Sequence, residues 1–367
     1  MRQMGIFFSM MLLVYVAGNI YIYIRGLQAM LQLPLGFKWA YSICFWFIAL
    51  SFVLVFLLRS AHINVSLSHV LFAMGTGWLI FTLYMVLLLG CADLIRIFNK
   101  SFHSGFVLSL LFTVSILAYG FIRYQHPITK VINIVINKQN IEPETSMKIV
   151  VISDVHLGLG TLKSKLAKYV EMINKEEPDV ILICGDLIDN SIVPVIDQQM
   201  DAELSQLRAR YGVYMVAGNH EYISGIADCK RFIEQTPVCL LRDSVVTLPN
   251  GVQIVGREDR SNRSRKELSQ LMHGIDHTRP VIVLDHQPVE ISSVVEAKAD
   301  LLLCGHTHNG QVWPMNLLVK RMFEISYGHE TRGRTHIYVT SGLSLWGPPF
   351  RIGSRSEMAV IQLKIEN

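Results

Sequence analysis

Val150-Val151-Ile152-Ser153-Asp154-Val155-His156 is the stretch whose reading decides the fold. Its β-branched run reads as a strand buried on both faces. The run stops at an aspartate and a histidine two positions apart. Open α/β sheets carry their ligands at the C-terminal ends of strands, so these two side chains emerge where chemistry is expected. One Asp-x-His is weak by itself, and its weight depends on how later strands end. Four more end alike. The strand at 179–184 runs into Gly185-Asp186-Leu187-Ile188-Asp189, and 212–217 into Gly218-Asn219-His220-Glu221. The strand at 281–284 runs into Asp285-His286-Gln287-Pro288, and 299–304 into Gly305-His306-Thr307-His308.

Helices separate these strands. Residues 161–177 place Leu162, Leu166, Tyr169, Val170 and Ile173 on one helical face. Further helices are expected over 196–210, 224–235 and 289–297. Asn250-Gly251 joins short strands at 245–248 and 252–255 as a hairpin. Residues 257–266 read as a charged loop, and two last strands fall at 336–341 and 358–365. Strand and helix alternate in the first half and strands dominate the second. The expectation is α/β, with two sheets and helices outside.

The chain before this region has another character. Of 367 residues, 51% are hydrophobic, and mean hydropathy is +0.36. Residues 1–122 hold six of the 33 basic residues and one of the 29 acidic ones, leaving 27 basic and 28 acidic in the remainder. The soluble part is near neutral, so no basic face points to nucleic acid. Four apolar runs, about 5–24, 39–58, 69–89 and 105–122, meet the bilayer requirement of ~20 residues. The first is too long for a signal-peptide core and reads as a retained span. Ala73 and Gly77, four apart, could let two of these helices approach closely. The expected organisation is a transmembrane region at 1–122, a connector at 123–147 and a soluble domain at 148–367. The connector carries a strand-like run at 131–136 and a turn at 142–146. Arg2, Arg59, Arg123, Lys130 and Lys138 fall on the side of the soluble domain, against Arg25, Lys38, Arg96 and Lys100 on the other. That excess favours an integral, multi-pass protein of the inner or cell membrane with a cytoplasmic domain. Of the six cysteines only Cys229 and Cys239 are plausible disulfide partners, and the usage favours a reducing compartment.

The five strand ends supply Asp154, His156, Asp186, Asn219, His286, His306 and His308 as candidate metal donors, with His220 beside them. Carboxylate, amide oxygen and imidazole together suit Mn, Fe or Zn. This set is too large for one tetrahedral ion and matches two ions of higher coordination bridged by a carboxylate. Singly, each residue is more often a cap or a surface group. As an ordered set they are not.

These motifs resemble those of the calcineurin-like metallophosphoesterase family, over residues 148–365. The resemblance implies a four-layer αββα sandwich. It implies that Asp154, His156, Asp186 and His308 hold one metal, and that Asp186 bridges to a second held by Asn219, His286 and His306. It places His220 beside the phosphate, where it stabilises charge or protonates the leaving oxygen, oriented by Asp189. Asp285 is expected to orient the metal site from behind. The Asp285-His286-Gln287-Pro288 and Gly305-His306-Thr307-His308-Asn309-Gly310-Gln311 stretches, with Leu345–Gly353, are similar to a bacterial membrane-associated branch. That branch includes pyrophosphatases acting on UDP-diacylglucosamine. Arg351 is a candidate for binding phosphate.

The leading expectation is therefore a membrane-anchored, dinuclear phosphohydrolase cleaving a phosphodiester or pyrophosphate on a lipid-linked or nucleotide-linked substrate. A soluble nucleotide or phosphoprotein substrate stays open. So does a non-enzymatic membrane sensor or scaffold. Oligomeric state is not legible.

Overall fold

The computed structural model describes residues 2–57, 64–138 and 145–366. Leu58, Arg59 and most of the turn expected at 142–146 lie outside the described residues. The chain divides into two compact units, residues 1–122 with 347–350, and residues 123–346 with 351–367.

The first unit is built of helices α1 (Arg2–Ala29), α2 (Leu35–Leu57), α3 (Val65–Phe98) and α4 (Gly105–Gln125). All four are long and apolar enough to cross a membrane. The close approach of two helices falls at Gly75, not at Ala73 or Gly77. A Cβ on Gly75 would lie 2.6 Å from the Phe52 Cα, so α2 and α3 meet backbone to backbone there. Apolar solvent gives helices little hydrophobic reason to associate, and polar contacts take part instead. Buried Asn19 accepts a hydrogen bond from Trp78 Nε1 at 2.7 Å and donates to the Tyr15 carbonyl at 2.9 Å. Asp93 pairs with Arg25 and accepts from the Tyr21 hydroxyl at 2.6 Å.

The second unit holds two six-stranded sheets. Its strands are β1 (Ile128–Asn137), β2 (Thr145–Ile152), β3 (Val180–Cys184), β4 (Val213–Val216), β5 (Val238–Leu241), β6 (Ser244–Thr247), β7 (Gln253–Gly256), β8 (Val281–Leu284), β9 (Leu301–Cys304), β10 (Gly328–Arg332), β11 (Thr335–Val339) and β12 (Glu357–Glu366). One sheet runs β1-β12-β2-β3-β4-β5, the other β10-β11-β9-β8-β7-β6. The segment expected as a connector is therefore also structural: β1 pairs in parallel with β12 from Ile128↔Glu357 to Asn137↔Glu366.

Alternation along the strands sets the layers. Ile149 and Val151 on β2, with Leu182 on β3, face Ile254, Ile282, Leu284, Leu301 and Leu303 of the other sheet. Val150, Ile152, Ile181 and Ile183 turn outward onto helix α5 (Lys163–Lys175) through Leu166, Tyr169, Val170 and Ile173. On the far side Val255, Val281, Val283 and Leu302 pack on Leu268, Leu271, Ile291 and Val294. The result is helix, sheet, sheet, helix. The expected four-layer sandwich is the observed arrangement.

Several elements differ from expectation. The helix read over 196–210 is two short ones, Val193–Asp197 and Asp201–Leu204, because the stretch places only Val195, Met200, Leu204 and Leu207 in the core. Cys239 lies in β5 with its side chain exposed while Cys229 is buried, and both are free. Helix Met315–Met322 and strand β10 were not anticipated. Neither buries a large apolar side chain.

The inter-sheet layer carries the stability of this unit. Ile361→Ala, at a fully buried position of β12, is expected to cost ~2–5 kcal/mol. Val131→Ala on the exposed face of β1 is expected to stay within about 0.5 kcal/mol. Denaturant unfolding of the full chain in detergent, followed by tryptophan fluorescence, checks the contrast.

Candidate metal centre

The ends of β2 and β3 do not diverge into separate loops. Backbone bonds continue past both strands: Asp154 N–H donates to Gly185 O at 3.1 Å, His156 N–H to Asp186 O at 3.0 Å and Leu157 N–H to Leu187 O at 2.8 Å. A third segment closes over them, with Leu343 N–H donating to Ser153 O and Ser344 N–H to Asp154 O. The polar side chains at these strand ends are thus held on a hydrogen-bonded backbone. Asp154, His156, Asp186, His306 and His308 all have φ between 48° and 71°. Left-handed backbone is uncommon outside glycine, Asn, Asp and His being the usual exceptions, and such strain collects at functional sites.

Glycine is required where these loops touch. A Cβ on Gly218 would lie 2.2 Å from Asp186 Oδ1, and one on Gly305 would lie 1.9 Å from Ser153 Oγ. Each glycine precedes a candidate ligand, and its missing side chain lets that ligand reach the next loop.

The structure brings all seven candidate donors together. Asp154 Oδ1 lies 3.2 Å from His308 Nε2 and 3.8 Å from His156 Nε2. His156 Nε2 is 3.8 Å from Asp186 Oδ2 and 3.2 Å from His308 Nε2. Asp186 Oδ2 is 3.1 Å from His286 Nε2. That nitrogen is also 3.2 Å from both Asn219 Oδ1 and His306 Nδ1. Three groups can each surround a cation: Asp154, His156 and His308; His156, Asp186 and His220; Asp186, His286 and His306. Asp186 and His156 each belong to two.

The donor set fits divalent cations on three observations. His286 gives Nδ1 to the Cys184 carbonyl at 2.7 Å, which turns Nε2 toward Asp186, as an orienting acceptor does behind a ligating histidine. Burial would lower the His286 pKa, yet Asp186 and Asp154 beside it raise it well above the ordinary value. The pocket therefore draws positive charge to the nitrogen that faces it. Finally, His306 is pushed down to about 4 by burial and by His286, and burial holds His308 well below the ordinary range. Both are neutral imidazoles at neutral pH, the form that binds metal.

Behind the donors stand carboxylates that position them. Asp189 Oδ1 lies 3.0 Å from His220 Nδ1 and 3.2 Å from His156 Nδ1, so it contacts the ring it was expected to orient and one more. Glu221 is fully buried and accepts from three backbone N–H groups: Gly218 at 2.7 Å, Ile188 at 2.9 Å and Asp186 at 3.0 Å. It ties the loop after β4 to the loop after β3. Burial and the neighbouring Asp186 push its pKa up to about 7.

Two expectations are corrected. Arg351 is not available to a phosphate. Its guanidinium is 0% exposed. Nη1 donates to His308 O at 2.8 Å, and Nη2 to Ser341 O at 2.7 Å and to Ser344 O. It organises the loop carrying His308, a role that nothing in its sequence neighbourhood announces. Asp285 does not orient a ligand ring either. Its carboxylate pairs with Arg257 at 3.1 Å and with Arg265, while the Cys184 carbonyl orients His286. Burial raises the Asp285 pKa against the pull of those arginines.

Two sheets whose adjoining strand ends converge on carboxylate and imidazole donors define a metal-site α/β domain. Residues 147–310 match the family described as calcineurin-like phosphoesterase. The chain carries a calcineurin-like metallophosphoesterase domain. It is 35% identical to an uncharacterised metallophosphoesterase of Helicobacter pylori over 61% of each chain, so the match spans about three fifths of that relative's length. Similarity to a Campylobacter jejuni metallophosphoesterase is 28% over 98% of each chain. A zebrafish (Danio rerio) transmembrane protein with metallophosphoesterase domain is 30% identical over 70% of this chain and 62% of its own. A solved dimetal phosphatase from Danio rerio aligns over 59% of this chain and 98% of its own at 12% identity, with a TM-score of 0.36, too loose a superposition to argue from.

Arg351→Lys tests the positioning role. One ammonium cannot serve carbonyls arranged around a planar fork. The variant is expected to lose ~1–3 kcal/mol of stability and to bind less metal than the parent, by unfolding curves and metal analysis. An unchanged metal content would remove Arg351 from the support of the His308 loop.

Proposed function

We propose that the chain is a metal-dependent phosphoesterase using two divalent cations, Mn, Fe or Zn, to hydrolyse a phosphodiester or pyrophosphate with water. The observation that carries this reading is the Asp186 carboxylate, which groups with His156 on one side and with His286 and His306 on the other. A carboxylate in two groups is what a bridged pair of cations needs.

In this reading Asp154, His156, Asp186 and His308 hold one cation, and Asp186, Asn219, His286 and His306 the other. When bound, the cations supply charge neutralisation at phosphoryl oxygens and acidify water. The chain's own residues do the rest. Asp189 is hydrogen-bonded to His156 Nδ1 and in ion-pair contact with His220 Nδ1, so one carboxylate serves both rings. Burial lowers the His220 pKa, but the Asp189 contact and Asp186 outweigh it, so the shift is upward. The protonated ring can then give its proton to the leaving oxygen. His220 is nearly buried, so bulk water competes little for that proton.

The apolar helices favour an integral membrane protein. With four passes, the excess of Lys and Arg favours a cytoplasmic phosphoesterase domain. A lipid-linked phosphate is the substrate class that this anchoring favours.

The reading makes a metal prediction and a catalytic one. Purified full-length chain is expected to hold near two equivalents of Mn, Fe or Zn, and Asp186→Asn to lose most of both. His220→Ala is expected to keep the metal and the melting temperature. Its hydrolysis of bis(4-nitrophenyl) phosphate should fall by roughly 10²–10⁴. Full activity in His220→Ala would overturn the assignment of the acid, and a metal-free active protein the whole reading. A reporter fused after Asn367 that works only outside the cytoplasm would reverse the orientation.

A further inference from the structure

Helix Met315–Met322 is eight residues long and buries none of its side chains. In a soluble domain such a helix has no packing reason to form, since tertiary burial supplies most helical stability. Yet it is apolar. Met315, Leu318 and Met322, three and four residues apart, lie on one face and are 40%, 54% and 65% exposed. Trp313, just before the helix, is 47% exposed. Among the other described residues after 122, large apolar side chains are exposed singly or in pairs, as at Val245 or Val131 and Val135. Contiguous exposed apolar surface marks a place where something binds.

The helix is also tied to the metal centre. Four residues separate it from the turn His308–Gly310. A Cβ on Gly310 would lie 2.3 Å from the Asn316 Cα, so turn and helix touch backbone to backbone. At its C-terminal end Phe323 stacks edge-on to the His306 ring, centroids 5.8 Å apart. Trp346 is half exposed, with its ring centroid 6.5 Å from that of His220. Gln311 Nε2 donates to the Trp346 carbonyl at 3.3 Å. Apolar and aromatic groups thus border the donors on both the His306 and the His220 side.

We propose that helix Met315–Met322, with Trp313, enters the interface of an anionic lipid bilayer and brings a lipid-linked phosphate to the metal centre. Charge complementarity selects this occupant. Lys320 and Arg321 stand in the last turn, with no acidic residue in the first, and the nearby Glu324 lies 3.6 Å from Arg332. An apolar stripe beside basic residues, with tryptophan at its edge, suits the headgroup boundary. Chain continuity agrees. Helix α4, long and apolar enough to cross a membrane, ends at Gln125, and β1 begins at Ile128. The domain therefore starts within a few residues of a candidate span. Substrate delivery rests on the phosphoesterase reading above; docking of the helix does not.

The test uses the full chain in nanodiscs of phosphatidylcholine and phosphatidylglycerol, with exposed Cys44, Cys91 and Cys239 replaced by serine. A fluorophore on Leu318→Cys should be quenched by nitroxide-bearing lipid on the order of threefold more than one on Val245→Cys. Equal quenching overturns docking. So does protection of the Leu318→Cys label in lipid-free detergent that grows with protein concentration, which would mean a second copy covers the face. In the second arm, Leu318→Glu/Met322→Glu should lower hydrolysis of a lipid-linked pyrophosphate in the disc about tenfold. It should leave hydrolysis of bis(4-nitrophenyl) phosphate within about twofold of the parent. Equal loss on both substrates overturns delivery. A parent inactive on both substrates refutes the phosphoesterase reading, while the quenching result still decides docking.

Discussion

The structure depends on keeping carboxylates charged in the absence of water. Asp154, Asp186, Asp189 and Glu221 are all buried at the strand ends. A buried carboxylate costs several kcal/mol unless something answers its charge. Here the answers differ. Asp154 and Asp189 face imidazoles, and Glu221 takes three backbone N–H groups. Asp186 accepts from His220 N–H at 2.9 Å on one oxygen and turns the other to His286. Glu221 shows how near the limit this crowd lies. Even with three hydrogen bonds, burial and Asp186 carry its pKa up to about 7. Cations between Asp154, Asp186 and the imidazoles would relieve that repulsion. The same residues would then be ligands and the ligands' charge partners at once.

Holding such a cluster requires backbone that would not otherwise adopt its shape. Left-handed conformations at Asp154, His156, Asp186, His306 and His308 cost of order 1–3 kcal/mol each when not locally favoured. Two buried side chains hold the backbone at Asp186 and His308. Glu221 joins the loops after β3 and β4. Arg351 joins the loop of His308 to Ser341 and Ser344. Neither needs to touch a substrate. The inter-sheet core fixes where the strands end, and these two residues fix what happens immediately after.

How much of this was legible follows from which interactions are local. A buried parallel strand is a run of β-branched residues, so β2, β3, β8 and β9 could be read from periodicity, and the polar residues after them could be listed by position. The four layers followed from the alternation of strand and helix. The role of Arg351 is not legible because a guanidinium that serves a carbonyl forty-three residues away looks in sequence like any arginine on a turn. Asp285 was misread because its partners, Arg257 and Arg265, lie on another loop. Glu221 closes the Gly218-Asn219-His220-Glu221 motif, and a glutamate three residues after Gly218, at the start of a helix, has the spacing of a capping residue. The left-handed backbone of the ligands leaves no mark in composition at all.

Helix Met315–Met322 escaped notice for the opposite reason. A short segment with apolar residues at 315, 317, 318, 319 and 322 and two basic residues between them has no clear face toward a protein core. Sequence patterning presumes that apolar residues seek the interior. On the proposed docking that presumption fails here, because a domain that begins three residues after a helix able to cross a membrane would meet a second apolar phase. There, side chains left uncovered by protein are not an error of packing. If the helix docks as proposed, a substrate that suits both the polar donor cluster and its apolar border would itself join a phosphate to a hydrocarbon.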